Sequence, residues 1–206
     1  MSTLQPYKTI LKAVACEIEK IKGSRFLAFL EPASDRESAE NRLRELRKKY
    51  PDATHHCFAY TTGADGQFFQ RYSDDGEPAG TAGRPILQVI EGHELKNVLL
   101  VVVRYYGGTK LGTGGLVKAY TEAAAEVTAL AEILLVEAQS EINLQFEYSL
   151  LKTIQQHCEQ YKAKTLNQEF AADVQLKIEI RSADREQFIL EAVDKTHGQV
   201  MIIETE

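Results

Sequence analysis

Hydrophobic and polar residues alternate over two stretches near the start of the chain. The first stretch covers residues 10–21 and the second covers residues 25–30, with a Lys-Gly-Ser sequence between them. Alternation with a period of two is typical of strands that bury one face. We therefore predict an antiparallel hairpin from these two stretches.

A charged segment with a helical apolar stripe follows the hairpin. Ser34 and Glu37 have the spacing of a capping box, and Ala39, Leu43 and Leu46 recur on one face. We predict a helix from Ser34 to residue 50. Two further strands are predicted at 55–61 and 67–72, around a turn at 63–66, with His55 and Cys57 on one face of the first strand and His56 on the other.

Residues 98–103 form a continuous run of Val and Leu, which predicts a strand buried on both faces. A glycine-rich loop comes next. From Leu116 the apolar residues recur at three- and four-residue steps, which predicts a helix. The chain therefore has the order strand, glycine loop, helix at this point. The loop glycines are Gly107, Gly108, Gly112, Gly114 and Gly115.

This order favours the binding of an anion. Glycines let backbone N–H groups turn toward a ligand, and a helix N-terminus adds unpaired N–H groups and a positive dipole. Arg104, Lys110 and Lys118 flank the loop. The simpler alternative is that the glycines only permit a tight turn and close packing of the helix on the sheet. The loop matches neither the Walker phosphate loop nor the dinucleotide fingerprint.

A second unusual segment, SDDGEPAGTAGRPI at 73–86, concentrates three carboxylates. They belong to Asp74, Asp75 and Glu77. Two interpretations are open: a magnesium site or a clamp for cationic groups, and a rigid turn whose carboxylates cap backbone N–H groups and pair with arginines. The candidate arginine partners are Arg71, Arg84 and Arg104. A short helix is predicted at 85–90, ending at Gly92.

The last third of the chain has a different organisation. We predict a long strand at 134–148, a helix to 161, strands at 163–170 and 174–180, a helix capped by Asp184, and a last strand at 199–203. The order βαββαβ is that of a ferredoxin-like domain. The predicted domains are therefore 1–133 and 134–206. His157 and His197 are predicted to be surface or helix-end residues.

Composition restricts the cellular setting and the classes of partner. The net charge is −6; residues 1–134 are neutral, with 17 Lys and Arg against 17 Asp and Glu, and the remaining residues carry 7 against 13. A nucleic-acid function must therefore rest on a local patch. Three scattered cysteines, the absence of a membrane-spanning apolar run, and an N-terminus without a signal-peptide core predict a cytoplasmic protein that does not bind membranes.

Four motifs together resemble the IMPACT family, in particular its bacterial members. They are KGSRFLA at 22–28, HHCFAY at 55–60, DDGEPAGTAGRPIL at 74–87 and VVVRYYGGTKLGTGGLVKAY at 101–120. The resemblance covers the whole chain and implies an α+β fold of two domains. The first would be like the second domain of small-subunit ribosomal protein five. The second would be ferredoxin-like and similar to domain V of elongation factor G.

The roles of the family's members lead to a hypothesis about the function of this chain. Its eukaryotic members regulate translation by competing for the activator protein of a stress kinase, but they carry a different N-terminal domain, so that role is not transferred. For bacterial members the resemblance implies nucleic-acid or ribosome binding. Our leading hypothesis is a non-enzymatic cytoplasmic protein that binds RNA or a ribosomal component through the glycine loop, with a role in translation regulation.

The hypothesis assigns a set of binding residues, in which Asp74, Asp75 and Glu77 orient the arginines. The set is Arg25, Arg71, Arg84, Arg104, Tyr105, Tyr106, Gly107, Gly108, Lys110, Gly112, Gly114, Gly115 and Lys118. We predict no catalytic residue, no cofactor and no metal. One alternative is a magnesium-dependent enzyme that acts on a phosphorylated small molecule, although no Ser follows Gly114 and Gly115 as in galactokinase-type phosphate loops. The other alternative is a protein-docking module formed by the tyrosines and the loop.

Overall fold

The computed structural model describes residues 6–64 and 67–203. Its contacts divide the chain into a first unit that ends at Val136 and a second unit that begins at Glu137. Both units combine helices with antiparallel sheets, so the predicted α+β class is confirmed. The predicted domain boundary, between residues 133 and 134, falls within the last strand of the first unit.

The first unit is built on a five-stranded sheet. Its strands are β2 (Val14–Glu17), β3 (Arg25–Pro32), β4 (His55–Ala64), β5 (Gln67–Ser73) and β6 (Val98–Tyr105). The strand order is β2-β3-β6-β4-β5, and every neighbouring pair is antiparallel. The predicted hairpin is present as β2 and β3. Ala64 lies opposite Gln67 at the end of the second hairpin; residues 65 and 66 of its predicted turn lie outside the described residues.

Helices cover both faces of this sheet. Helix α1 (Arg36–Lys49) packs on one face, and α2 (Gly83–Gly92) and α3 (Thr113–Ala129) pack on the other. The central strand β6 is therefore buried from Val98 to Arg104, as its apolar run predicts. Because side chains alternate along a strand, Arg104 lies on the face of α2 and α3, whereas Tyr105 lies on the face of α1.

The cap of α1 differs from the sequence prediction. Asp35 is the N-cap residue, not Ser34, and the reciprocal bond comes from Ser38 rather than Glu37. The Asp35 carboxylate accepts a hydrogen bond from the Ser38 N–H at 2.7 Å, and this bond lowers the pKa of Asp35. Asp and Ser are both common N-cap residues. Which of Ser34 and Asp35 caps the helix depends on the local backbone geometry, which the residue types alone do not show.

The predicted strand at 134–148 is in fact two strands. They are β7 (Ile133–Val136) and β8 (Gln139–Phe146). Strand β7 pairs antiparallel with β1 (Tyr7–Ile10) in a separate two-stranded sheet, while β8 pairs with strands of the second unit. The alternating pattern runs across the break because both strands bury one face, so the pattern gives no sign of the change of partner.

The second unit follows the predicted order βαββαβ. After β8 come α4 (Leu151–Gln160), β9 (Lys164–Phe170), β10 (Val174–Arg181), α5 (Arg185–Lys195) and β11 (Met201–Ile203). The antiparallel sheet has the order β11-β8-β10-β9, and its apolar side packs against residues of both helices, including Ile154 and Phe188. None of the described helices is long and apolar enough to cross a membrane.

Two predictions in the second unit hold only in part: His157 lies in the last turn of α4 and Asp184 is the N-cap residue of α5, but the contacts of their side chains differ from the prediction. His157 is buried rather than exposed, because its ring stacks on Phe188 and its Nε2 atom lies 3.0 Å from the Phe188 carbonyl oxygen. Asp184 does not cap α5 with its side chain. Its carboxylate instead accepts a hydrogen bond from Arg181 at 2.7 Å.

Candidate anion-binding cleft

The glycine loop and the acidic turn line one cleft of about 500 Å³ in the first unit. Glu77 and Pro78 come from the acidic turn, and Lys110 and the N-terminus of α3 come from the glycine loop. Thr54 and His55, at the start of β4, complete the wall. The structure therefore brings together the two motifs that the sequence singles out.

A buried ion pair joins the two motifs. Arg104 Nη1 lies 2.5 Å from Glu77 Oε1, and Arg104 and Glu77 are only 4% and 9% exposed. The Tyr120 hydroxyl donates to the same carboxylate oxygen at 2.8 Å, and Arg104 Nη2 donates to Ser24 Oγ at 3.2 Å. The charge of Arg104 is thus neutralised within the protein, and the pair holds the acidic turn against the end of β6.

Aromatic rings lie on the guanidinium group of Arg104. Its central carbon is 5.4 Å from the ring centre of Phe26 and 5.5 Å from that of Tyr106. Its Nε atom is buried and has no hydrogen-bond partner among the residues that the structure describes. Arg104 therefore forms a fixed part of the cleft wall, and its Nε–H group lacks an acceptor among the described residues.

The other two carboxylates of the acidic turn bind backbone groups. Asp74 accepts hydrogen bonds from the N–H groups of Gly80, Ala82 and Gly83, each at 2.9 Å, and so caps the start of α2. Asp75 accepts from the His56 N–H at 2.7 Å and pairs with Arg47 at 2.8 Å.

These contacts agree with the rigid-turn interpretation of the three carboxylates. The arginine partners are Arg104 and Arg47, whereas Arg71 and Arg84 make no ion pair with the turn among the described residues. Within the same ranges, no group of three or more His, Cys, Asp or Glu residues is arranged to hold a metal ion.

His55 is a residue of the cleft that the binding prediction omits. Its Nδ1 atom lies 2.9 Å from the Asp75 carbonyl oxygen, which can only accept, so Nδ1 carries the hydrogen. Its Nε2 atom lies 3.8 Å from Glu77 Oε1. His55 is paired with Arg104 across β4 and β6, and this long-range pairing is not visible in the local pattern. The predicted alternation of His55, His56 and Cys57 is confirmed, since His56 contacts Tyr50 on the face of α1.

The loop glycines permit close packing of two loops and a left-handed backbone conformation before α3. A Cβ atom on Gly107 would lie 1.9 Å from the carbonyl carbon of Gly23, so this glycine permits two loops to pack closely. Gly112 has a φ of 76° and precedes α3 without any side-chain hydrogen bond to the helix start. Within residues 6–64 and 67–203, no side chain caps the first N–H groups of α3, at the point where Lys110 also lines the cleft.

Several predicted binding residues lie elsewhere. Arg25 pairs with Glu17 and stacks on Tyr105, and Arg71 pairs with Glu40; these contacts are on the α1 face of the sheet. Arg84 on α2 and Lys118 on α3 are exposed and do not line the cleft. The structure therefore does not bring Arg25, Arg71 and Arg84 to the glycine loop: Arg25 and Arg71 lie on strands, where alternate positions point to opposite faces, and Arg84 lies on α2 outside the cleft.

Two segments of the chain match known protein families. Residues 22–128 match the Impact N-terminal domain, and residues 144–199 match a domain of unknown function called DUF1949. The IMPACT family member YigZ of Escherichia coli is 38% identical over 92% of this chain and 93% of its own. The chain belongs to the IMPACT family.

Two further similarities extend over nearly the whole IMPACT family chain. A family member from Haemophilus influenzae is 38% identical over 89% of this chain and 90% of its own. A solved structure described as the crystal structure of an hypothetical protein has a TM-score of 0.64 and 34% identity, covering 98% of both chains. Both units of the fold are therefore shared with relatives, including a solved structure.

Beneath the cleft, this IMPACT family protein holds protonated polar groups. The Cys57 thiol donates to the Asp74 carbonyl oxygen at 3.0 Å, and burial raises the pKa of the thiol far above its usual value. Burial also raises the pKa of the Tyr120 hydroxyl. Cys57 is consequently a poor nucleophile, since only the thiolate attacks readily. We assign these two residues to the support of Glu77 and of the acidic turn.

Proposed function

We propose that this IMPACT family protein is a non-enzymatic cytoplasmic protein that binds RNA, either free or within the ribosome, and thereby acts in the regulation of translation. The binding surface is the cleft between the glycine loop and the acidic turn. A phosphate group of the RNA contacts the N-terminus of α3 and Lys110. Tyr106 and Thr54 lie beside this position.

One observation carries the proposal: the N-terminus of a 17-residue helix opens into the cleft beside Lys110, and no side chain in the described part of the protein caps it. Uncapped N–H groups and the helix dipole favour a negative group at this point. Lys110 forms no ion pair with any described residue, whereas Arg104 is paired with Glu77. Lys110 is therefore the cation that this cleft offers to a phosphate.

The carboxylate contacts favour binding over magnesium-dependent catalysis. Asp74 caps α2, Asp75 binds Arg47 and His56, and Glu77 pairs with Arg104. A metal ion would have to compete with each of these contacts. In the proposed function the three carboxylates shape the turn and fix Arg104, which leaves the glycine loop to contact the ligand.

We also propose which known domains the two units of the fold correspond to. The first unit corresponds to the second domain of small-subunit ribosomal protein five, and the second unit corresponds to a ferredoxin-like domain similar to domain V of elongation factor G. The strand order β11-β8-β10-β9 supports the second correspondence, because it places the first and third strands of the βαββαβ unit at the centre of the sheet. A translation-related ligand is consistent with both correspondences.

The test is crosslinking in cells of the unaltered protein, Lys110→Ala and a control, Lys12→Ala. Lys12 is exposed and lies outside the cleft. After nuclease treatment, bound RNA and bound proteins are identified. We expect RNA or ribosomal proteins with the unaltered protein and with Lys12→Ala, and at least about a tenfold loss with Lys110→Ala. Recovery of neither RNA nor ribosomal protein from the unaltered chain contradicts the proposal.

A further inference from the structure

The cleft has an apolar wall that a simple anion site does not need. Pro78, Leu111 and Leu116 line it beside the ring of Tyr106. Tyr106 is 46% exposed although it is a large aromatic residue. A volume of about 500 Å³ lies within the range of small-molecule sites. The ligand therefore has an anionic part and an apolar or aromatic part of limited size.

Tyr106 is held in position from two sides. Its backbone N–H donates to Thr54 Oγ1 at 3.0 Å. The guanidinium group of Arg104 lies 5.5 Å from its ring centre, and that group is fixed by Glu77 and Ser24. A ring that is fixed but still exposed loses little conformational entropy when a flat ligand stacks on it. Nucleobases of every type can stack on such a ring, because each base has an aromatic face.

Two polar groups in the cleft wall are suited to a ligand with oxygen and hydroxyl groups. Arg104 Nε is a buried donor without a partner among the described residues, and a buried donor of this kind favours an acceptor atom nearby. In the neutral form of the His55 ring, Nδ1 carries the hydrogen because it faces the Asp75 carbonyl oxygen, and Nε2 can then accept a hydrogen bond. A ribose hydroxyl or a base amine can donate to it.

We propose that the cleft binds one unpaired nucleotide, with its phosphate at Lys110 and the start of α3 and its base stacked on Tyr106. This inference rests on the proposed function and specifies the unit of RNA that is recognised. A free nucleoside monophosphate carries the same phosphate and base groups. Base-paired RNA keeps its bases stacked inside the helix and does not offer this unit.

The test uses the full chain and a short single-stranded RNA that contains the fluorescent base 2-aminopurine. Stacking on an aromatic ring quenches this base. The variants are Tyr106→Ala, Tyr106→Phe and a matched control, Tyr72→Ala, because Tyr72 is 44% exposed and lies outside the cleft. The competitors are the same RNA as a duplex and a free nucleoside monophosphate. Circular dichroism checks that each variant is folded.

We expect quenching by the unaltered protein, Tyr106→Phe and Tyr72→Ala. With Tyr106→Ala we expect loss of quenching and about a tenfold loss of affinity for the single strand. The duplex should compete at least about tenfold less well than the single strand. These results together support the inference.

Three other outcomes are informative. If the single strand binds and Lys110→Ala weakens it, but Tyr106→Ala changes neither affinity nor quenching, the nucleotide pocket is wrong and the RNA-binding function stands. If the free nucleotide binds with the same dependence on Tyr106 but RNA does not, the pocket is right and the RNA-binding function is wrong. If neither ligand binds, both proposals fail.

Discussion

Arg104 Nη1 and Glu77 Oε1 lie 2.5 Å apart in a site where both side chains are buried. Breaking a buried ion pair leaves one charge uncompensated away from water, and this cost is larger than the net gain from forming the pair. The pair therefore makes the stability of the first unit sensitive to either residue.

We predict that Glu77→Gln lowers the free energy of unfolding by about 3–5 kcal/mol. The exposed pair between Arg25 and Glu17 provides the control, since both of its side chains are about 40% exposed. Glu17→Gln should cost less than about 1 kcal/mol. Urea denaturation of both variants measures the difference, and equal losses would show that the buried pair has no special role.

Two glycines of the same loop should respond in opposite ways to alanine. In Gly107→Ala the new methyl group would meet the Gly23 and Ser24 backbone at 1.9 and 2.2 Å, so we expect a loss of about 3 kcal/mol or more. Gly114 has open space around its Cβ position and lies in the first turn of α3. Gly114→Ala should therefore be neutral or stabilise by up to about 1 kcal/mol. Thermal and urea unfolding check both, and tolerance of alanine at Gly107 would contradict the close packing.

His56 should make stability depend on pH. Burial lowers its pKa in the folded protein, against the opposing effect of Asp75. The unfolded chain, with a His pKa of about 6.5, then binds a proton first as the pH falls, so the free energy of unfolding decreases below about pH 6.5. We expect His56→Gln to show a smaller decrease between about pH 7.5 and about pH 5.5. The control is His93→Gln, at an exposed position; a pH dependence that is the same in both variants would contradict the role of His56.

The three thiols should react at different rates. Cys16 is half-buried, whereas Cys57 and Cys158 are buried, and burial raises the pKa of Cys158 to about 11 and that of Cys57 further. With iodoacetamide at about pH 8 we expect Cys16 to be modified first and Cys57 to remain unmodified in the folded protein. Peptide mapping by mass spectrometry measures the order. All three should react in denaturant, and rapid modification of Cys57 without it would contradict its burial.

Much of the fold follows from local patterns. The apolar run of β6, the glycine loop and the helical stripe of α3 are each contained in a short segment, and the order βαββαβ follows from strand and helix periods. The pairing of β1 with β7 could not be predicted in this way. Each has four residues, and their partners are more than 120 positions apart in the chain.

The candidate site was predictable in part. Its two motifs stand out because glycines and carboxylates are concentrated in them, but which residues face the cleft depends on strand register. Arg104 faces the cleft and the adjacent Tyr105 faces away, a separation that the period of a strand implies. His55 enters the site only because β4 lies beside β6 in a register that places it opposite Arg104. No short segment of the sequence predicts that strand register.

The burial of β6 also bears on how the cleft can move. This strand is covered on both faces and paired on both edges, so its amide hydrogens should exchange with solvent only when the whole first unit unfolds. Residues 108–110 are exposed and belong to no helix or strand. The part of the cleft wall that β6 provides is therefore expected to keep its position for as long as the first unit stays folded, whereas the exposed loop at 108–110 lacks that constraint.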